Sequence, residues 1–301
     1  MVDIKSALES GGRTIGYLTW YDCENAHVTP PELKNLFHKF NFDDKYFPKS
    51  IKPKNAFQKA CRFAMNETGT SSDTRRSIVR IIVDGISKIV YGIVDLDVNQ
   101  KAESISPDFS DKVWLDKDNW SVSYEHGHPT SKRIQAVYNR LCGEYTTRDI
   151  SRMIVESVDK MCCVSLRDAG VVYFIPEAFR DDLHALQNVV NNIGQCNMRV
   201  YALGDKNGNT SGIENAAKSQ IASSVENMKK KIADLKQSIV DGALKGKSAE
   251  NSIEVRIRDF KELKNKCKIL ADALKIRAEN LEGELDEVSK LIKRELTDVA
   301  A

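Results

Sequence analysis

CCVSLRDAGVVYFIP, residues 162–176, decides how the middle of this 301-residue chain is built. Two apolar runs flank Asp168, Ala169 and Gly170, so the stretch reads as a β-hairpin. It follows helical segments punctuated by Arg133, Arg140, Arg148 and Arg152, and Arg167 stands near its tip. Helix, helix and wing in that order would make a nucleic-acid-binding winged helix. Two features oppose that reading. VVYFIP is too apolar for a strand standing in water, and Asp168 would face phosphate. The pattern predicts a core hairpin that buries Val172 and Phe174, or Val171, Tyr173 and Ile175, beneath helices.

Upstream of the hairpin the period of two continues. Residues 77–98, SIVRIIVDGISKIVYGIVDLDV, read as two strands about the Asp84-Gly85 turn, and residues 112–126, KVWLDKDNWSVSYEH, as another pair about Lys117 to Asn119. Trp120, Val122 and Tyr124 alternate with Ser121, Ser123 and Glu125, which gives that strand one wet face and the sheet an antiparallel build. Further strands are expected near Tyr17 to Trp20 and at MRVYALG, residues 198–204. HVTPPELKNLFHKF, residues 27–40, opens a helix, with Thr29 as N-cap, Pro30 in the first turn and Glu32 completing a capping box. Periodicity places other helices at about 129 to 142, 147 to 161 and 177 to 193.

Beyond GDKNGNTSG, residues 204–212, the chain changes character. Ile221, Val225, Met228, Ile232, Leu235 and Ile239 have the alternating spacing of a coiled-coil seam. Gly242 and Gly246 interrupt it. A second seam follows on Phe260, Cys267, Leu274, Leu281 and Val288, with Ile257, Lys264, Ala271, Ala278, Leu285 and Ile292 as its companion row. The two helices are expected to form an antiparallel hairpin. The second seam would run for about 60 Å against about 30 Å for the first, so its far end must meet the head or a second copy of the chain. Leu274, Leu281, Leu285, Val288 and Ile292 are the candidate oligomerisation residues. The predicted fold class is α+β: a mixed head at 1–204 with a largely antiparallel sheet and packed helices, a linker at 205–212, and a long C-terminal helical hairpin or coiled coil at 213–301.

Charge narrows the mechanisms available. The 45 Lys and Arg against 43 Asp and Glu leave a net charge of +2, too little for a whole-molecule field to hold nucleic acid or an anionic membrane. Any such contact must come from a local patch. Seven Cys without CxxC spacing indicate reduced thiols in a cytoplasmic protein. No run approaches the roughly 18 apolar residues of a membrane span, and the start lacks the basic and apolar blocks of a secretion signal. No membrane partner is expected.

One of two candidate patches, beside the arginines that precede the hairpin, is PKSIKPKNAFQKACR, residues 48–62, where Lys49, Lys52, Lys54, Lys59 and Arg62 occur with no acid among them. Phe57 and Phe63 are interleaved, a composition suited to phosphate contact and base stacking; the favoured alternative is a helix whose Phe57, Ala60, Cys61 and Ala64 face inward and whose lysines are simply solvated. With Arg148, Arg152 and Arg167 these form the candidate nucleic-acid contacts. Asp95 and Asp97 project from one face of a strand end, where a carboxylate pair could hold Mg²⁺ for phosphoryl transfer. No glycine-rich phosphate loop accompanies them. Asp22, Cys23, Glu24 and His27 in one loop, and His126 and His128 in EHGHP, supply fragments of a metal site without a full set of ligands. No metal or cofactor is called for.

Three stretches, LTWYDCENAHVTPPELKNLF (residues 18–37), PKNAFQKACR (53–62) and SLRDAGVVYFIPEAF (165–179), resemble the landmarks of a family of uncharacterised proteins found in prokaryotes and their viruses. The shared pattern is an aromatic near the start, a Pro-initiated helix, a basic helix with "AF", and a strand like "GVYF". The resemblance covers most of the head. It implies a phage or mobile-element setting and brings no activity and no site residue with it.

With no complete catalytic constellation, the leading expectation is a non-enzymatic protein acting through protein contacts and self-association of its C-terminal helices. The alternatives are a nucleic-acid-binding protein using the basic helix and the hairpin, and a metal-dependent enzyme acting on phosphates.

Overall fold

The computed structural model describes residues 13–49, 52–67, 75–97, 109–166, 172–204, 210–274, 285–290 and 292. Its elements run β1 (Thr14–Glu24), β2 (His27–Val28), α1 (Pro30–Lys39), α2 (Pro53–Glu67), β3 (Arg75–Asp84), β4 (Lys88–Asp97), β5 (Asp111–Asp116), β6 (Val122–Tyr124), α3 (Pro129–Gly143), β7 (Tyr145–Thr146), α4 (Thr147–Lys160), β8 (Val164–Ser165), β9 (Tyr173–Pro176), α5 (Arg180–Val190), β10 (Gln195–Gly204), α6 (Thr210–Val240) and α7 (Lys247–Leu274). The class is α+β with antiparallel sheets and two long C-terminal helices packed on each other, as the periodicities predict. No helix among the described residues is long and apolar enough to cross a membrane.

The chain divides into two compact units, each discontinuous in sequence. One comprises Met1–Glu24, Asn35–Tyr46 and Ser151–Ala301; the other comprises Asn25–Lys34 and Phe47–Ile150. The two C-terminal helices share a core with the first sheet.

In the first unit that sheet has the order β10-β1-β9-β8 and is antiparallel throughout. Leu18, Phe174 and Val164 lie side by side across it and join Ile213, Ala217 and Ile221 of α6 in one core. Gly16 admits the Phe174 ring, since a Cβ there would collide with that ring and with the Ile175 carbonyl. On the other face α5 buries Leu183, Leu186, Val189 and Val190, and Tyr17 meets His184 edge-on at 5.5 Å. The question posed by residues 162–176 is thus answered: β8 and β9 are core strands, with Val164, Phe174 and Ile175 fully buried. Gln220 of α6 fastens them, accepting the Ser165 N–H at 3.2 Å and donating to the Cys163 carbonyl at 3.4 Å. Arg167 lies outside the described residues.

The first tail seam is buried as expected from Ile221 to Leu235. The second is displaced by one position in its companion row: Leu263 and Leu270 are buried with Cys267 and Leu274, while Lys264 is exposed. Placing two leucines inward and an ammonium outward avoids desolvating a charge. Leu274, Leu285 and Val288 belong to the same core as α6, Ile292 packs against it, and Glu287 reaches Lys229 at 3.3 Å. These side chains, expected to await a second copy, are covered by their own chain. Leu281 lies outside the described residues.

The second unit is a meander in the order β3-β4-β5-β6, closed at Gly85, whose N–H donates to the Lys88 carbonyl at 2.9 Å. Helices α2 and α3 pack on each other and over one face, burying Phe57, Val79, Ile89, Ile93, Val113, Leu115, Ile134 and Tyr138. Trp120 departs from the expected alternation: it sits in the β5–β6 turn at φ 57° and is exposed. The Thr29 capping box forms as read, with Thr29 N–H donating to Glu32 Oε2 at 3.0 Å and Glu32 N–H to Thr29 Oγ1 at 3.4 Å.

Candidate nucleic-acid interface

Helix α2 is amphipathic for a simple reason. Ala56, Phe57, Ala60, Cys61 and Ala64 recur at helical spacing and are buried, which turns Lys52, Asn55 and Arg62 outward. Phe57 meets Tyr91 and Tyr138 edge-on at 5.5 and 6.2 Å, so it is a core ring and takes no part in base stacking. Phe63 is exposed. Lys54 is committed elsewhere: with Lys117 it clamps Asp84, at 2.7 and 2.9 Å, and the two ammonium groups hold that carboxyl below its usual range. Lys49, Lys52 and Arg62 are exposed and Lys59 half-buried. Among the described residues, none of these four has a carboxylate within ion-pair distance.

Sequence reasoning did not weigh α3 together with α2. Helix α3 turns Lys132, Arg133 and Arg140 outward and contains no acid from Pro129 to Gly143. Residues 49–66 and 129–143 together hold eight basic side chains and no acid. Because the two helices are neighbours over one core, their outer sides form a single basic layer. Among the acids of this unit, Asp84, Asp95, Asp111, Asp116, Asp118 and Glu125 stand in strands and turns, whereas Glu67 is the last residue of α2, Glu144 follows the end of α3, and Glu32 and Asp149 lie on α1 and α4. Arg148 and Arg152 are exposed on α4 and belong to neither helix of the layer.

The fragments that suggested metal chemistry do not converge. His128 accepts the Thr130 N–H on Nδ1 at 3.2 Å and so carries its proton on Nε2, which donates to Asp95 Oδ2 at 3.0 Å. Both imidazole nitrogens are engaged in capping α3 and bracing β4. The Asp97 side chain lies outside the described ones. Asp22 pairs with Arg199 at 3.6 Å, His27 faces Glu144 at 3.6 Å, and Cys23 faces Cys196 across the first sheet. Among the described residues no three His, Cys, Asp or Glu gather in a way that could hold a metal ion. A cleft of about 560 Å³ near the end of α4 and the α6–α7 pair is lined by Lys160, Lys231 and Lys266 and by Asp159, Asp259 and Glu262. Its charges cancel, and Lys266 is bound to Asp159 at 3.1 Å.

Fold and charge together define a two-unit α+β protein with a basic helical layer. The chain belongs to the Family of unknown function (DUF6744), which matches residues 14–301, in keeping with the resemblance of its landmark stretches to an uncharacterised family. No curated protein and no solved structure matches it.

Proposed function

We propose that this chain binds nucleic acid through the α2–α3 layer, with Lys49, Lys52, Lys59, Arg62, Lys132 and Arg140 on the phosphates. The observation that carries this reading is that residues 49–66 and 129–143, which run through two adjacent helices, hold eight basic and no acidic side chains in a protein whose net charge is only +2. Contacts to phosphate position a protein without specifying sequence, so the binding is largely sequence-independent and salt-sensitive. The exposed Phe63 supplies a ring for an unpaired base. Seven free cysteines fit a cytoplasmic setting, and a phage or mobile element is the proposed source. The test is fluorescence anisotropy of labelled single- and double-stranded DNA and RNA across a salt series. Binding should weaken steeply with salt, and replacing Lys52, Lys59 and Arg62 by Gln should lower the slope of log K against log salt by about 1 per lost contact. No binding at low salt overturns the proposal.

A second reading, protein contact without catalysis, has its own support. Ile81, Ile82, Val83 and Ile86 are exposed around the β3–β4 turn, and clustered apolar surface of this kind marks protein interfaces. Under this reading Ile82→Lys with Ile86→Lys abolishes capture of the partner and leaves nucleic-acid binding unchanged.

A further inference from the structure

Cys23 and Cys196 stand opposite each other on β1 and β10. Opposed residues of an antiparallel ladder alternate between hydrogen-bonded pairs and non-hydrogen-bonded pairs, and the latter hold their side chains closer. The backbone shows which kind this is. The Cys196 N–H donates to the Ile193 carbonyl at 3.0 Å, and two residues on the Met198 N–H donates to Asn191 Oδ1 at 2.6 Å. Both groups turn away from β1, as they must on an edge strand, so Cys23 and Cys196 are a non-hydrogen-bonded pair. General ladder geometry then sets their Cα atoms about 4.5 Å apart, within the span of a disulfide. The two thiols hydrogen-bond each other; that bond is the main influence raising Cys23 and lowering Cys196, so the pair releases a first proton more readily than an isolated thiol. Cys23 is half-buried and the more exposed of the two, while Cys196 beside it is buried. Cys61, Cys142 and Cys267 sit on α2, α3 and α7, and Cys162 and Cys163 are chain neighbours.

We propose that Cys23 and Cys196 form a redox modification site, converted to an intramolecular disulfide by a low-molecular-weight disulfide such as oxidised glutathione. Loss of one proton leaves a thiolate that the hydrogen bond shares between the two sulfurs; Cys23, the more exposed, passes its proton to Cys196 as it attacks one sulfur of the reagent, the reagent's S–S bond breaks, and one glutathione thiolate leaves. The Cys196 thiolate then attacks the Cys23 sulfur of the mixed disulfide and displaces the second. Two protein thiols are oxidised, the reagent is reduced to two thiols, and these take up the two protons. The new bond ties the end of β1 to its edge neighbour and closes a covalent loop that contains the whole second unit, Asn25–Lys34 and Phe47–Ile150.

The full chain is treated with oxidised glutathione under native conditions and analysed by intact mass and non-reducing peptide mapping. The expected result is a loss of about 2 Da and a peptide cross-link joining Cys23 to Cys196, reversed by reductant. The link is absent from Cys23→Ser and Cys196→Ser and retained in Cys142→Ser. A mixed disulfide as the stable end product, a link through Cys162 or Cys163, or an unchanged mass overturns the proposal. The wild-type map reads the bond directly, so the result does not depend on how well a serine variant folds.

Discussion

Asp111 is a buried carboxylate around which the loop before α3 is wound. Its Oδ1 accepts the N–H groups of Lys112 and His126, both at 2.8 Å, and its Oδ2 accepts the His128 N–H at 2.8 Å and Ser131 Oγ–H at 2.7 Å. Burial pushes its pKa up, but the bonds from Ser131, His126, His128 and Lys112 outweigh that and hold it at about 2. Asp111→Asn puts a donor among donors and is expected to destabilise the fold by about 2–4 kcal/mol at neutral pH. The folded value lies below the unfolded one of 3.8, so this stabilisation is complete above pH 4 and disappears as pH falls toward 2. Urea unfolding across that range should show the gap between wild type and Asp111→Asn closing; a constant gap would exclude the carboxylate as its origin. His128→Ala, which removes the α3 cap, should cost about 1 kcal/mol in the same assay, and His128→Asn, a good capping residue, less. The capping box of Thr29 and Glu32 was legible because helix geometry fixes its partners three residues apart. Asp111 was not, because its donors reach 15 to 20 residues along the chain and nothing local separates it from the solvated Asp116.

At the level of elements, the α6 seam was legible from its spacing, since any helix with that row must bury it. The occupant of the buried side was not. A heptad row fits a partner helix, a sheet face or a returning segment equally well, and here α6 meets all three: α7 packs on it, Ile213 and Ala217 join the sheet's core, and Leu285 and Val288 belong to the same core. The choice of Leu263 and Leu270 over Lys264 and Ala271 follows from side-chain size and charge, which period alone ignores. Val288 is fully buried, so Val288→Ala should lower stability by about 1–3 kcal/mol, whereas Lys229→Ala, which opens an exposed ion pair, should change it little. Because the burial is within one chain, the melting temperature should not depend on protein concentration. A midpoint that rises with concentration, and a Val288→Ala variant that changes sedimentation, would return these side chains to an interface between copies.

The whole molecule carries too little charge to attract a polyanion from a distance, so its response to nucleic acid turns on where its cations sit. Lys49 to Arg62 was legible as a basic run; that Lys132, Arg133 and Arg140 extend it was not, because the two segments become neighbours only when α2 and α3 cover the same sheet. This arrangement separates two explanations that total charge confounds. Lys52→Glu with Arg62→Glu and Lys230→Glu with Lys261→Glu each reverse two exposed cations, taking the net charge from +2 to −2. If a general field governs binding, both variants weaken it equally. If the α2–α3 layer holds the phosphates, the first loses affinity at least about tenfold at low salt and flattens the salt dependence, while the second, altered on α6 and α7, binds as wild type. Anisotropy titrations of the two variants side by side, at matched ionic strength, decide between a surface that recognises phosphate and a protein that merely tolerates it.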